Sequence, residues 1–245
     1  MTTGLSYSGT VAGTNSYIDQ IATMAVVDVN DPAYQTILPQ MITYAENRMY
    51  RDLDFMFTST SVTGYTISGG SRSITVPQGT FVVLEQINLI TPPGQPNPNA
   101  GTRNPLLPTT KEFLDAVYGS SSYTGLPQYF TPFDDNVFLV GPFADQTYYV
   151  EMVGTYRPDS LSATNTTTFI SLYLPDVFIM ASMIYVSAYQ RNFGRQSDDP
   201  QMAQSYETQY QTLLKGAAVE EARKKFESSG WTSQSPSPVA TPSRG

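Results

Sequence analysis

The sequence has no cysteine and no histidine, and only 14% of its 245 residues are charged. Without cysteine there is neither a disulfide framework nor a thiolate metal site, and without histidine the commonest catalytic base and metal ligand is missing. A Ser-His-Asp triad is therefore impossible, and neither a G-x-S-x-G elbow nor a phosphate-loop spacing occurs. Basic residues are scarce as well. Thirteen Lys and Arg stand against 21 Asp and Glu, a formal charge of −8 that argues against a general nucleic-acid binder, because affinity for a phosphate backbone comes from neutralising it. The opening stretch "MTTGLSYSGTVAGTNSYIDQ" lacks the positive and apolar regions of a secretory signal, so export by that route is not expected.

Long apolar runs are missing too. The densest stretch, "SLYLPDVFIMASMIYVSAYQ" at 171–190, offers only the 15 residues Asp176–Gln190 between Pro175 and Arg191, fewer than the about 20 a bilayer core requires. It is read as a buried helix with no membrane partner. Val177, Phe178, Ala181, Ile184, Tyr185 and Ala188 recur at helical spacing, with Met180 and Met183 beside them, so nearly its whole circumference needs cover.

What is present divides by texture. After a Gly/Ser/Thr-rich start that reads as an arm, Asn15 or Ser16 caps a helix carrying Tyr17, Ile18, Ile21, Ala22 and Ala25. A second helix opens at "NDPAYQ", with Asn30 or Asp31 as cap and Pro32 in its first turn, and reaches about Leu53. Pro39 predicts a kink or a delayed start. From Phe55, alternating Thr, Val, Tyr and Ile around "SGGS" predict β-structure. Residues 91–105, "TPPGQPNPNAGTRNP", predict a long projecting loop. One short helix, "TTKEFLDAVYG", and two strands, "NVFLVGP" and "QTYYVEMVGTYRP", follow. After 165 the pattern returns to helix: the apolar one, then one from about Asp199 to Phe226 with a stripe of Met202, Tyr206, Tyr210, Leu213 and Leu214.

The expected fold class is α+β. Residues 1–54 form an N-terminal arm and helices, 55–164 a β-rich module, 165–228 a C-terminal helical hairpin packing on the N-terminal helices, and 229–245 a flexible Ser/Pro-rich tail. The terminal helices are expected to make one bundle, with the antiparallel β-rich module inserted and the tail disordered. Charge is polarised along the chain. Residues 215–245 hold five basic and three acidic side chains, a net +2 against −10 elsewhere, which suits head-to-tail contact between copies or docking to an acidic surface.

Candidate chemistry is thin. Asp134 and Asp135 in "TPFDDNV" read as a turn before a catalytic pair, since neighbouring carboxylates point apart. "QSDDPQ" reads as a helix cap, because the Gly and terminal Glu of a calcium loop are missing. Asn165 in "NTT" matches a glycosylation acceptor but has no export signal to give it meaning. Seventeen Tyr and 12 Phe suit core or protein interface better than a stacking platform. A glycan-acting reading would rest on those aromatics with Asp134, Glu151 or Asp159. No catalytic, metal or cofactor site is expected.

In the order of its parts, the chain resembles the adaptor, or head-to-tail connector, proteins of tailed bacteriophages. The phrases that carry this are "YAENRMYRDLDF", "ITVPQGTFVVLEQINL", "LPQYFTPFDDNVFLVGPFADQTYYVEMVGTYRPDSLS" and "LYLPDVFIMASMIYVSAYQRNFGRQSDDPQMAQSYETQYQTLLKGA". The resemblance implies a virion structural protein at the head–tail interface, present in the host cytoplasm during assembly. It implies a homo-oligomeric ring, usually of twelve copies, that docks on the portal protein, connects it to a downstream tail or nozzle protein, and lets genome DNA through its lumen without sequence-specific contact. Carried onto this chain, Lys215 to Gly245 would contact the portal, with Lys215, Arg223, Lys224, Lys225, Phe226 and Trp231 as the interacting residues. Trp231 is the expected anchor, since a lone Trp in a polar tail has nothing local to pack against. The rival within the same class is a ring-forming tail completion or terminator protein.

Overall fold

The computed structural model describes residues 4–191 and 202–228, and among them the fold is mixed α+β with six helices. The chain opens with β1 (Gly4–Ser6), β2 (Thr14–Ser16), α1 (Tyr17–Ala25) and α2 (Pro32–Asp52). Next come β3 (Ser59–Ile67), β4 (Ser73–Thr75), β5 (Val83–Thr91), β6 (Thr102–Pro105), β7 (Leu107–Pro108) and α3 (Lys111–Val117). Then follow β8 (Thr124–Gly125), β9 (Tyr129–Pro132), β10 (Val137–Gly141), β11 (Phe143–Ala144) and β12 (Tyr148–Thr155). The last elements are α4 (Phe169–Tyr173), α5 (Pro175–Arg191) and α6 (Met202–Ser228). The fold divides into two compact units, one drawn from Met1–Met56 with Asp159–Gly245 and the other Phe57–Pro158.

In the first unit, α5 is the element the others cover: α1, α2, α4 and α6 all pack on it. Val177, Phe178, Ala181, Ser182, Met183 and Val186 are its buried residues, so Met183 lies in the core while Ile184 and Tyr185, expected there from spacing, are half-buried. The Ala188 side chain lies outside the described residues. Tyr17 of α1 stacks on Phe178 with ring centroids 4.7 Å apart, and its hydroxyl is 2.7 Å from Ser182 Oγ. Ser182 spends its only proton on the Phe178 carbonyl at 2.7 Å, so Tyr17 is the donor in that pair. Burial raises the Tyr17 phenol far above its ordinary pKa, and the Ser182 hydrogen bond only partly offsets it.

Local signals set the helix starts. Ser16 Oγ accepts from the Asp19 amide, Asp31 Oδ1 from Ala33, and Thr168 and Ser171 cap α4 reciprocally. Pro39 neither breaks α2 nor delays it, because Ile37, Leu38, Met41 and Ile42 on both sides of it are buried, and that burial outweighs the lost backbone bond. The expected N-terminal arm is instead tied down from Gly4 onward. β1 pairs in parallel with β2, Leu5 is buried, and Gly4 lies so close to Leu172 that a Cβ would sit 3.0 Å from its backbone.

The second unit has two four-stranded sheets, ordered β3-β12-β5-β6 and β4-β10-β9-β7. Residues of both sheets, among them Ile67, Ile87, Val150 and Met152 of the first and Ile74, Phe130 and Val140 of the second, form one apolar core. Alternation on β12 sends Tyr148, Val150 and Met152 inward and Glu151 to the opposite face. Pairing is not wholly antiparallel, since β7–β9 and β8–β11 are short parallel pairs. At the irregularity between Val153 and Gly154, a Cβ on Gly154 would lie 2.4 Å from the Val83 carbonyl, so only glycine fits.

The segment 91–105 is not a free loop. β5 reaches Thr91 and β6 returns antiparallel against it, leaving 92–101 as the connection. Arg103 pins that connection: it donates to both Glu151 oxygens (2.7 and 3.1 Å), to the Pro98 carbonyl (3.2 Å) and to Asn99 Oδ1 (3.0 Å). Asn88 and Ser61 also donate to Glu151, and its carboxyl pKa is lowered, first by Arg103.

Two predictions follow from strain and from this pin. Val26, the left-handed C-cap of α1 at φ 54°, is a β-branched residue where glycine is favoured and is 76% exposed. Val26→Gly should therefore stabilise the protein by about 1 kcal/mol in urea unfolding, strain relief exceeding the added chain entropy. Arg103→Ala should speed amide exchange across 92–101 while leaving α5 unchanged. In the parent chain that protection should be complete above the ordinary carboxylate range and be lost as pH drops from there through the depressed Glu151 pKa, because the linked stability is fully present only above the unfolded value.

Candidate assembly interface

α6 is buried along one thin line. Tyr210, Ala217 and Glu221 are its buried residues, with Tyr206, Leu213 and Leu214 half-buried; the Met202 side chain lies outside the described residues. Near the start of that line Arg48 lies 4.4 Å over the Tyr210 ring and pairs with Glu207 at 2.6 Å, while Tyr210 donates to Asp52 at 2.8 Å. These contacts fasten α6 to α2.

At the far end, α6 grips the chain that leaves α2. Glu221 accepts from the Met56 amide at 3.4 Å and pairs with Lys224 at 2.7 Å, and Lys225 pairs with Asp54. Lys224 also reaches Glu220 at 3.2 Å and lies 5.2 Å over the Phe169 ring. Burial alone would lower the Lys224 pKa, but the hydrogen bond to Glu221 and then Glu220 raise it. A second buried carboxylate, Glu46 of α2, holds the returning chain by accepting from the Leu161 amide at 3.1 Å, while its Oε2 is buried without a hydrogen-bond partner. Burial raises the Glu46 pKa, and Ser160, Leu161 and Thr168 only partly offset that.

The six residues marked from sequence thus separate. Lys224 and Lys225 come together beside residues 54–56, where they serve the chain's own packing. Lys215 and Arg223 are exposed on the side of α6 opposite its buried line, with Val219 between them, 52% exposed. Phe226 lies on α6, but its side chain is outside the described residues, as are Trp231, all of 229–245 and the expected cap at Asp198 or Asp199. Glu221, Glu46 and Asp54 were missed; the one local sign was the spacing of Lys224 from Glu221 and Glu220, three and four residues.

Other candidate chemistry resolves into structure. Asp134 Oδ1 accepts from the Asn136 and Val137 amides, both at 2.7 Å, which makes it the stabiliser of the β9–β10 turn. Glu151 is occupied by Arg103, and the Asn165 amide donates to the Asp159 and Ser160 carbonyls. Among the described residues no cluster of three carboxylates is placed to hold a metal, and no helix is long and apolar enough to cross a membrane. Phe113, Tyr118 and Tyr129 group on the second unit, with Tyr129 centroids 5.4 and 6.3 Å from the other two.

Glu46 offers a direct test of the junction. Glu46→Ala should cost about 1–3 kcal/mol by leaving the buried Leu161 amide unpaired. Glu46→Gln should cost less and flatten the pH profile of unfolding, because a raised folded pKa contributes stability below the unfolded carboxylate value that is lost as pH rises through the folded one.

No curated protein matches the chain. A family model described as SU10 adaptor protein matches residues 16–238, a span that includes α1 to α6, all of the second unit and most of the first. The chain therefore belongs to the SU10 adaptor protein family, bacteriophage structural proteins consistent with a head-to-tail adaptor role.

Proposed function

We propose that this protein is the head-to-tail adaptor of a tailed phage, assembled as a ring of twelve copies that docks on the portal protein and continues the DNA channel toward the tail. The observation that carries the reading is the family match across 16–238. In it, the helices of the chain's two ends form one bundle that makes the ring body, the β-rich module faces the next tail component, and the C-terminal segment reaches the portal.

The contacts of α6 bear on which residues we assign to the portal. Lys224 and Lys225 hold the chain at 54–56, so portal contact falls to Phe226 and the segment 229–245, with Trp231 as the aromatic anchor. The net charge of −8 supports the channel role, because an acidic ring repels the duplex in transit instead of retaining it.

Electron microscopy of the protein mixed with its phage's portal, beside a version truncated after Glu227, tests this. The full chain should add a ring below the portal and the truncated chain should not. If neither binds, the portal-adaptor reading fails and a distal tail position, such as a terminator ring, replaces it.

A further inference from the structure

Two exposed features, one on each unit, are chemically complementary. On α6, Lys215, Val219 and Arg223 recur every fourth residue, so they form one stripe opposite the buried line of Tyr210, Ala217 and Glu221. The stripe is basic, apolar, basic, and about 12 Å long at 1.5 Å per residue. At the β9–β10 turn, Phe133 is 59% exposed and is followed by Asp134 and Asp135, both exposed. Polar residues normally fill such a tip, and here a phenyl ring stands out beside two carboxylates. Asp134 Oδ1 accepts from the Asn136 and Val137 amides, which rigidifies the tip while the residue stays exposed.

We infer that the Phe133–Asp135 tip of one copy docks on the Lys215–Val219–Arg223 stripe of a second copy, the ring of Phe133 packing on Val219 and the two carboxylates meeting the two bases. This rests on the ring reading above and supplies its contact. The partner is a copy of this chain because both halves of the match are already on it. Basic groups are in short supply on this acidic protein: Arg48, Arg72, Arg103, Lys111, Lys224 and Lys225 are all held in intramolecular ion pairs. Lys215 and Arg223 flank an exposed apolar side chain with no ion pair among the described residues.

The charges also restrict the symmetry. Tip against tip opposes carboxylates, and stripe against stripe opposes bases, so neither patch pairs with itself across a two-fold axis. Each joins only the other. Made with a different neighbour at each patch, as the ring reading requires, the contact propagates head to tail, and it closes into a ring when the rotation per copy divides the circle.

The test uses the full chain, alone and on its portal, with assembly followed by mass photometry and electron microscopy. Asp135→Lys and the pair Lys215→Glu with Arg223→Glu should each weaken assembly at least ~10-fold, and all three substitutions in one chain should recover part of it, since the base at 135 again meets acids while Asp134, kept for the turn, does not. Restoration also shows that the substituted chains fold. Because the protein has no cysteine, Phe133→Cys with Val219→Cys gives an independent readout: mild oxidation should produce a ladder of covalently linked copies. Rings that form normally despite the reversals, a triple variant no better than its parents, or rings without a cross-linked ladder would each overturn this contact while leaving the ring reading intact. A parent chain that forms no ring, alone or on the portal, would overturn both.

Discussion

Covering α5 is the constraint from which the first unit follows. Phe178, Ala181, Met183 and Val186 leave that helix no extended polar face, yet it is too short to hide in a bilayer. Its cover comes from α1 and α2, far upstream, and from α4 and α6 beside it in sequence. The Tyr17–Phe178 stack and the Tyr17–Ser182 hydrogen bond make that meeting specific, since a buried phenol without Ser182 would be an uncompensated polar group. A chain whose first and last helices must meet in this way can carry its β-structure only as an insertion between them, and 57–158 is that insertion.

An insertion needs two crossings of the chain, and each is held on its helical side by a buried carboxylate. Glu221 takes the Met56 amide on the way out and Glu46 takes the Leu161 amide on the way back. Both belong to long helices fastened together through Arg48, Glu207, Tyr210 and Asp52. Hence the last turns of α6 serve two ends at once. They anchor residues 54–56 through Glu221, Lys224 and Lys225, and they lead directly into the segment assigned to the portal. The outward face of the same helix carries the stripe assigned to a neighbouring copy, so one helix links intrachain packing to assembly.

Much of the helical part was legible beforehand because its signals are local. Caps at Ser16, Asp31 and Thr110 lie next to the apolar periods they introduce, and side-chain hydrogen bonds over two or three residues need no tertiary help. β6 was not legible: "TRNP" has poor strand propensity and is a strand only because β5 offers it an edge and Arg103 finds Glu151, 48 residues away. The fate of the basic residues was hidden for the same reason. Lys224, Lys225 and Arg223 are adjacent in sequence, and only the packing of α6 against residues 54–56 decides that the first two meet acids and the third faces outward.

By itself, then, the sequence determined what depends on composition and on near neighbours. It excluded thiol and imidazole chemistry, set the acidic balance, placed every described helix but α4 and carried the phrases of the adaptor family. Tertiary structure alone decided which exposed charges remain free, which carboxylates are buried, and that residues 4–6 and 102–105 are strands and not loose chain. The buried pairings among them turn on partners 48 to 165 residues away, such as Glu151 for Arg103, Glu46 for Leu161, Glu221 for Met56 and Ser182 for Tyr17. Burial and pairing energies at such separations exist only once the fold has brought the partners together, and no local pattern encodes them.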